Sequence, residues 1–329
     1  MTPLSTVGTP TLWLVTIAAV VVLLLVDFLI TRKPHEVSMR EALGWSAFYL
    51  AIPLGFGVWV WSTYGQQRGL EYYTGYLVEK SLSVDNLFVF IILLGAFAVP
   101  RPLQQRVLLI GVAGALVMRG VFIALGAELI VSFAWAFLLF GVVLLATAVK
   151  VLRDALGHHE TIDVSSLRSV RLVRRFFPVT EDYEGPRLSL RRAGRRVLTP
   201  MALVVAAILG TDLVFAIDSV PAVYGITGDP YLVFATNAFA LLGLRTLYFV
   251  LEGTLAKLVH LGFGLAAILG FIGAKLVLHW AHGVWTWVPT VPTLASLGVI
   301  LAILATVTVT SLRASRPADS RTPQPTPTP

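Results

Sequence analysis

Long apolar stretches alternate with short polar segments along most of the chain. Nine stretches are each about as long as the roughly 20 apolar residues that a helix needs to cross a bilayer. They lie near residues 11–31, 41–63, 74–99, 105–127, 129–151, 200–225, 231–252, 258–281 and 291–312. The pattern predicts an all-α fold, a polytopic transmembrane bundle of about nine helices.

The polar segments divide the chain into regions. We predict an N-terminal transmembrane helix and cytoplasmic loop over 1–40, transmembrane spans with a first repeat over 41–151, a basic cytoplasmic loop over 152–199, a second repeat over 200–282, a C-terminal helix over 283–312 and a disordered tail over 313–329. The tail is rich in Pro and Thr and has no apolar run to bury, which favours disorder. The first apolar stretch is too long for a cleavable signal, so we expect a retained helix.

Basic residues fall on one side of the predicted bundle. They lie between the first two stretches, between the third and fourth, before the eighth and after the ninth, and residues 152–199 alone contain ten arginines. Cytoplasmic loops of membrane proteins carry such an excess of Lys and Arg. We therefore predict that the N-terminus lies outside the cell and the C-terminus in the cytoplasm.

The composition supports a membrane protein and excludes several kinds of chemistry. The chain is 57% hydrophobic and 13% charged, whereas an ordinary soluble domain is roughly 25% charged. Cysteine is absent, which excludes disulfides and thiolate sites, so a metal would need oxygen or imidazole ligands. The pI of about 9.9 follows from the loop arginines, and we expect no nucleic-acid partner. No phosphate-binding loop, nucleophile elbow or HExxH is present, so we expect no enzyme and no permanently bound cofactor.

Two apolar stretches contain acidic residues at matching positions. "EKSLSVDNLF" occupies residues 79–88 and "TDLVFAIDSV" occupies residues 211–220. An ionisable group at the bilayer centre costs at least roughly 2.5–3.5 kcal/mol and marks a functional site by default. The acids are six residues apart in each stretch, and a small polar residue follows the second acid: Glu79, Asp85 and Asn86, then Asp212, Asp218 and Ser219.

The spacing also indicates which of these side chains share a helix face. At 100° per residue, positions seven apart nearly coincide, whereas positions six apart diverge by about 120°. Glu79 would then share a face with Asn86, and Asp212 with Ser219, leaving Asp85 and Asp218 to one side. Pro221 and the nearby serines leave open whether these helices are kinked or locally unwound.

The likeness between the two halves continues downstream. "ALVMRGVFIALGAEL" (115–129) aligns with "ALLGLRTLYFVLEGTL" (240–255), so that Arg119 meets Arg245 and an acid, Glu128 or Glu252, follows each. We interpret spans three to five and six to eight as two repeats that enter the membrane from opposite sides. Such inverted repeats are typical of transporters with a substrate site near the midplane. The alternative is chance similarity between apolar helices.

These acidic motifs, with the basic loop "RRFFPVTEDYEG" between them, resemble the TerC family of integral membrane proteins. The resemblance covers approximately residues 40–280 and leaves out the first helix, the last helix and the tail. It implies a multi-pass protein of the bacterial cytoplasmic membrane that exports divalent metal, with manganese best supported, and a link to tellurium resistance. By motif match, it implies intramembrane site acids at Glu79, Asp85, Asp212 and Asp218, with Asn86 beside them. The arginine-to-acid spacing differs between the halves, which leaves Glu128 in doubt.

Two hypotheses remain for the acids. In the first, Asp85, Asp218, Asn86, Glu79, Asp212 and Ser219 form an ion site, while Arg119, Arg245 and Glu252 form charge pairs. Carboxylate, amide and hydroxyl oxygens suit manganese, magnesium or calcium, and protons would compete with the metal and could be the coupling ion. In the second, Arg119 and Arg245 neutralise Asp85 and Asp218 in a non-transporting membrane scaffold. Asp27 is expected at the membrane interface, and the oligomeric state stays open.

Overall fold

The computed structural model describes most of the helical regions of the chain. The described residues are 6–30, 37–133, 135–157, 170, 171, 175, 177–180, 183, 185–192, 195–251, 260–285 and 287–314. Within these ranges the chain forms ten α-helices and one two-stranded antiparallel sheet. The elements are α1 (Pro10–Ile30), α2 (Met39–Tyr64), α3 (Gln66–Ala96), α4 (Arg101–Ser132), α5 (Ala136–Leu156), β1 (Ser189–Arg192), β2 (Arg195–Leu198), α6 (Pro200–Tyr224), α7 (Pro230–Leu242), α8 (Leu244–Leu251), α9 (Leu261–Val284) and α10 (Thr293–Ala314).

The described helices fit a bundle that crosses a membrane many times. Eight segments are long and apolar enough to span a bilayer, and α7 and α8 together provide one of them, Pro230–Val250. Helix α3 is not among the eight, because its charged motif lowers its apolar character. With 31 residues it would nevertheless extend roughly 46 Å at 1.5 Å per residue, and it packs against α2, α6, α7, α9 and α10. The prediction of an all-α polytopic bundle is confirmed.

Helices α3 and α6, which carry the two acidic motifs, run antiparallel. Glu71 near the start of α3 accepts a hydrogen bond from Thr227, just beyond the end of α6. Further along α3, Asn86 lies beside Ser219 in the wall of a small cavity. Later residues of α3 therefore contact earlier residues of α6, so the two helices run in opposite directions. This is the relative direction that two inverted repeats require.

The other two pairs of matched helices are also antiparallel. Helix α4 meets α7 through Arg119 with Asn237 and meets α8, which continues the same span, through Gln105 with Arg245. Helix α5 meets α9 with Gly141 at Gly273 and with Ala155 at Gly262. In each pair, the earlier residue of one helix contacts the later residue of the other. All three pairs thus agree with inverted repeats over spans three to five and six to eight.

The N-terminal helix is joined to the bundle by polar contacts as well as apolar ones. Thr16 and the hydroxyl of Tyr231 lie 2.7 Å apart, and the ring of Trp13 meets the ring of Tyr231 edge to face. Asp27 is only 1% exposed and binds Arg245 of α8 at 2.8 Å. The interfacial position of Asp27 stays a prediction, and the structure adds that its carboxylate is buried as the partner of an arginine.

The loop predicted only as basic contains ordered structure at its C-terminal end. Strands β1 and β2 form a hairpin in which Leu190 pairs with Val197, and the Thr199 N–H donates to the Leu188 carbonyl at 3.0 Å. The Tyr183 hydroxyl donates to the Phe97 carbonyl at 2.8 Å, and burial raises the pKa of Tyr183 to about 12. Its phenol therefore stays protonated and ties the loop to the end of α3. The predicted disordered tail covers 313–329, but Arg313 and Ala314 belong to α10, and residues 315–329 lie outside the described residues.

Candidate ion site between α3 and α6

Both motif helices are continuous where they cross. Helix α3 is α-helical from Gln66 to Ala96, and α6 is α-helical from Pro200 to Tyr224 with Pro221 inside its last turn. The described backbone thus answers the question that the sequence left open, because neither helix unwinds at its acidic motif. The polar groups at the crossing are supplied by side chains rather than by an unwound backbone.

A buried arginine joins the first acids of the two motifs. Glu79 of α3 and Asp212 of α6 are both fully buried, and Arg119 of α4 is 1% exposed. The Arg119 guanidinium forms an ion pair with Glu79 and a second one with Asp212 at 3.1 Å. Its Nε also donates to the other Asp212 oxygen at 3.4 Å. One cation therefore holds two carboxylates that occupy matching positions in the two repeats.

Two amides complete the surroundings of this arginine. Asn237 of α7 accepts a hydrogen bond from Arg119 at 3.0 Å and donates to the Val233 carbonyl at 3.0 Å. Asn86 of α3 satisfies both of its groups when its nitrogen donates to the Leu82 carbonyl and its oxygen accepts from Arg119, each at 3.1 Å. Glu79 and Asn86 therefore share a helix face, as the spacing predicts.

The charge pairs differ from those in the scaffold hypothesis. Arg119 binds Glu79 and Asp212, whereas Arg245 binds Asp27. Among the described residues, Asp218 forms no ion pair with either arginine, so that part of the hypothesis is wrong. The predicted charge-pairing residue Glu252 lies outside the described residues, as does the side chain of Asp85.

A small cavity with a mainly apolar lining and a few polar groups lies next to the arginine cluster. It has a volume of about 50 Å³ and is bounded by α3, α5, α6 and α9, which is large enough for an ion or a water molecule. Its polar lining consists of Asn86, Asp218, Ser219 and Thr147, and Leu and Val side chains and Phe215 line the rest. The Thr147 hydroxyl donates to Asp218 at 2.7 Å. Asp218 thus presents a carboxylate that no arginine neutralises.

Several buried polar atoms near this cavity have no hydrogen-bond partner among the described residues. They are Glu79 Oε2, Ser83 Oγ and Ser219 Oγ. A buried polar group without a partner costs free energy, so such atoms call for an explanation such as a water or an ion. Within the described part of the chain, no three His, Asp or Glu side chains lie close enough together to hold a metal. The described oxygen donors at the cavity are therefore the Asp218 carboxylate, which accepts from Thr147, with amide and hydroxyl groups.

Sequence reasoning missed three polar residues in these clusters. Thr147 binds Asp218, Asn237 binds Arg119 and Gln105 binds Arg245. Each is a single uncharged polar residue in an apolar span, which alone is a weak signal.

These observations define a multi-pass integral membrane protein with a buried polar site at the crossing of two oppositely directed helices. Residues 64–319 match the family described as "Integral membrane protein TerC family". The chain belongs to the TerC family. The match begins later than the resemblance over residues 40–280 indicates, and it extends further to include α10.

Relatives of the chain carry broad names. An uncharacterized membrane protein of Mycobacterium tuberculosis is 46% identical over 274 residues, which cover 82% of this chain and 68% of the relative. An uncharacterized membrane protein of Myxococcus xanthus is 38% identical over 320 residues, 97% of each chain. A protein of Escherichia coli K12 named "Putative membrane-bound redox modulator Alx" is 38% identical over 312 residues, 92% of this chain and 94% of the relative. No solved structure matches the chain.

Proposed function

We propose that the protein is a secondary transporter that exports a divalent metal cation across the bacterial cytoplasmic membrane. The observation that carries the proposal is the cavity at the α3–α6 crossing, where Asp218 forms no ion pair among the described residues and Asn86, Ser219 and Thr147 complete a set of oxygen donors. The charge of Lys150 on α5 acts on Asp218 only through space. Carboxylate, amide and hydroxyl oxygens are the ligands that hard divalent cations prefer. The location agrees with transporters built from inverted repeats, which bind substrate where the repeats meet.

Manganese is the substrate that we propose, because the family resemblance points to it and the donor set suits it. Asp85 directly precedes Asn86 on α3, and we expect its carboxylate to join Asp218 when the cation binds. Deprotonated carboxylates bind metal in competition with protons, so we propose protons as the counter-ion. Export of metal would support metal resistance, and we propose that any effect on tellurite is indirect. The named redox relative suggests another activity, but a chain without cysteine has no thiol chemistry of its own.

Manganese flux in proteoliposomes tests this function. We expect the purified wild-type protein to move Mn²⁺ down an imposed gradient, and we expect Asp218→Asn and Asp85→Asn to abolish that movement at equal protein content. Asp154→Asn is the matched control, because it makes the same chemical change at an exposed residue near the end of α5. A wild-type protein that carries no Mn²⁺, although it is folded and inserted, would favour the scaffold hypothesis. Retained flux in Asp218→Asn would remove that residue from the mechanism.

A further inference from the structure

The Arg119 guanidinium occupies oxygen atoms that a divalent cation would use. The oxygens of three of the six predicted metal ligands accept hydrogen bonds from Arg119 instead: Glu79, Asp212 and Asn86. With Asn237 as the fourth partner, these contacts engage all five N–H donors of the guanidinium. An arginine that only packed helices together would not need to take the oxygen donors that the two repeats contribute.

Two buried carboxylates share the direct contacts of one guanidinium. Arg119 pairs with both Glu79 and Asp212, and the second oxygen of Glu79 has no hydrogen-bond partner among the described residues. The charge of Lys80 acts on Glu79 through space, while its ammonium donates to the Ala240 carbonyl at 3.3 Å. A divalent cation could take over the direct contacts with both carboxylates that Arg119 now makes.

Asn86 links the arginine to the cavity. Its amide oxygen accepts from Arg119, and the same residue lines the cavity that contains Asp218 and Ser219. A cation bound in that cavity would draw the Asn86 oxygen toward itself and would repel the guanidinium beside it. The contacts of Arg119 and the binding of a metal are therefore mutually opposed.

We propose that Arg119 is a tethered cation that takes the place of the metal in the empty transporter. This inference rests on the proposed transport function. When the metal leaves, the guanidinium binds Glu79 and Asp212. The transporter without metal can then switch the side of the membrane from which its site is accessible, because neither carboxylate is left unpaired in the membrane. When the metal binds, Arg119 gives up part of these contacts. By thermodynamic linkage, the Arg119 contacts lower the affinity for the metal by the same factor by which bound metal weakens the Arg119 contacts.

Removal of the Arg119 charge gives opposite effects on binding and on net transport. In Arg119→Gln we expect purified protein to bind Mn²⁺ at least tenfold more tightly than wild type, because no internal cation competes. We expect net Mn²⁺ export from proteoliposomes to be lost, while exchange of external for internal Mn²⁺ is retained, because only the loaded form can reorient. Arg119→Lys keeps the positive charge but has fewer N–H donors than arginine. Its Mn²⁺ affinity should therefore lie between those of wild type and Arg119→Gln.

Arg245→Gln is the matched control. It removes the arginine at the aligned position of the second repeat, whose partners are Asp27 and Gln105 rather than predicted ligands, so Mn²⁺ affinity should stay at the wild-type value. If Arg119→Gln is unstable, thermal unfolding with and without Mn²⁺ provides the readout, and the metal should raise Tm more in this variant than in wild type. Unchanged or weaker Mn²⁺ binding by Arg119→Gln, or wild-type net export, would overturn the inference. Failure of the wild-type protein to bind and move Mn²⁺ would instead overturn the transport function itself.

Discussion

Buried acids in this bundle differ in what neutralises them, and the difference determines what each one can do. Glu79 and Asp212 share Arg119, and Asp27 binds Arg245. Asp218 accepts a hydrogen bond from Thr147 and forms no ion pair among the described residues, although the charge of Lys150 acts on it through space. The Asp27–Arg245 pair joins helices away from the predicted ligands, whereas Glu79, Asp212 and Asp218 belong to the proposed ion site. Structural and functional roles can therefore be separated by mutating single residues.

Replacement of Asp27 by Asn tests the structural role. The variant leaves the buried Arg245 without its carboxylate, although Gln105 remains at 3.1 Å, and breaking a buried pair in soluble proteins costs about 3–5 kcal/mol. We expect a clear loss of stability in detergent, measured by chemical or thermal unfolding. Asp154→Asn, an exposed control, should leave stability unchanged. Wild-type stability in Asp27→Asn would show that the ion pair does not hold α1 to the bundle.

At the scale of helices, the described residues of α5 and α9 approach each other backbone to backbone. A Cβ atom added at Gly141 would lie 2.9 Å from the Gly273 carbonyl oxygen and 2.7 Å from a Val277 methyl group. Small residues allow membrane helices to pack backbone against backbone, where dispersion and weak polar contacts replace the hydrophobic effect. The glycines thus bring α5, with Thr147, to the wall of the cavity.

Gly141→Ala is expected to destabilise the protein because the obstructing atom belongs to the backbone and cannot rotate away. Overpacking of this kind typically costs about 1–3 kcal/mol. Gly120→Ala in α4 is the control, because a Cβ atom there meets nothing within 4 Å and alanine favours helix over glycine by up to about 1 kcal/mol. Unfolding of both variants in detergent measures the difference. Equal stability of the two variants would mean that α5 and α9 do not approach as closely as described.

At the scale of the whole molecule, the apolar pattern alone predicted a transmembrane bundle, but it did not predict which helices contact one another inside it. A stretch of about 20 apolar residues indicates a span whatever surrounds it, and the aligned motifs also predicted the opposite directions of α3 and α6. Periodicity gives the face on which Asp212 or Asp27 lies, but it does not say which helix covers that face. The pairing of Arg245 with Asp27 depends on α1 packing beside α7 and α8, a contact between residues more than 200 positions apart.

The orientation of the molecule is the last prediction, and the absence of cysteine makes it directly measurable. Single cysteines in an otherwise thiol-free chain react with a membrane-impermeant maleimide only from the side on which they lie. We expect Thr63→Cys, at the exposed end of α2, to be labelled in intact cells, because the charge distribution predicts that α2 ends outside. Ser189→Cys, exposed in β1, should react only after the membrane is opened, because the same rule predicts a cytoplasmic arginine-rich loop. Both sites must react in detergent, which controls for accessibility. Labelling of Ser189→Cys in intact cells would invert the topology and, with it, the direction assigned to transport.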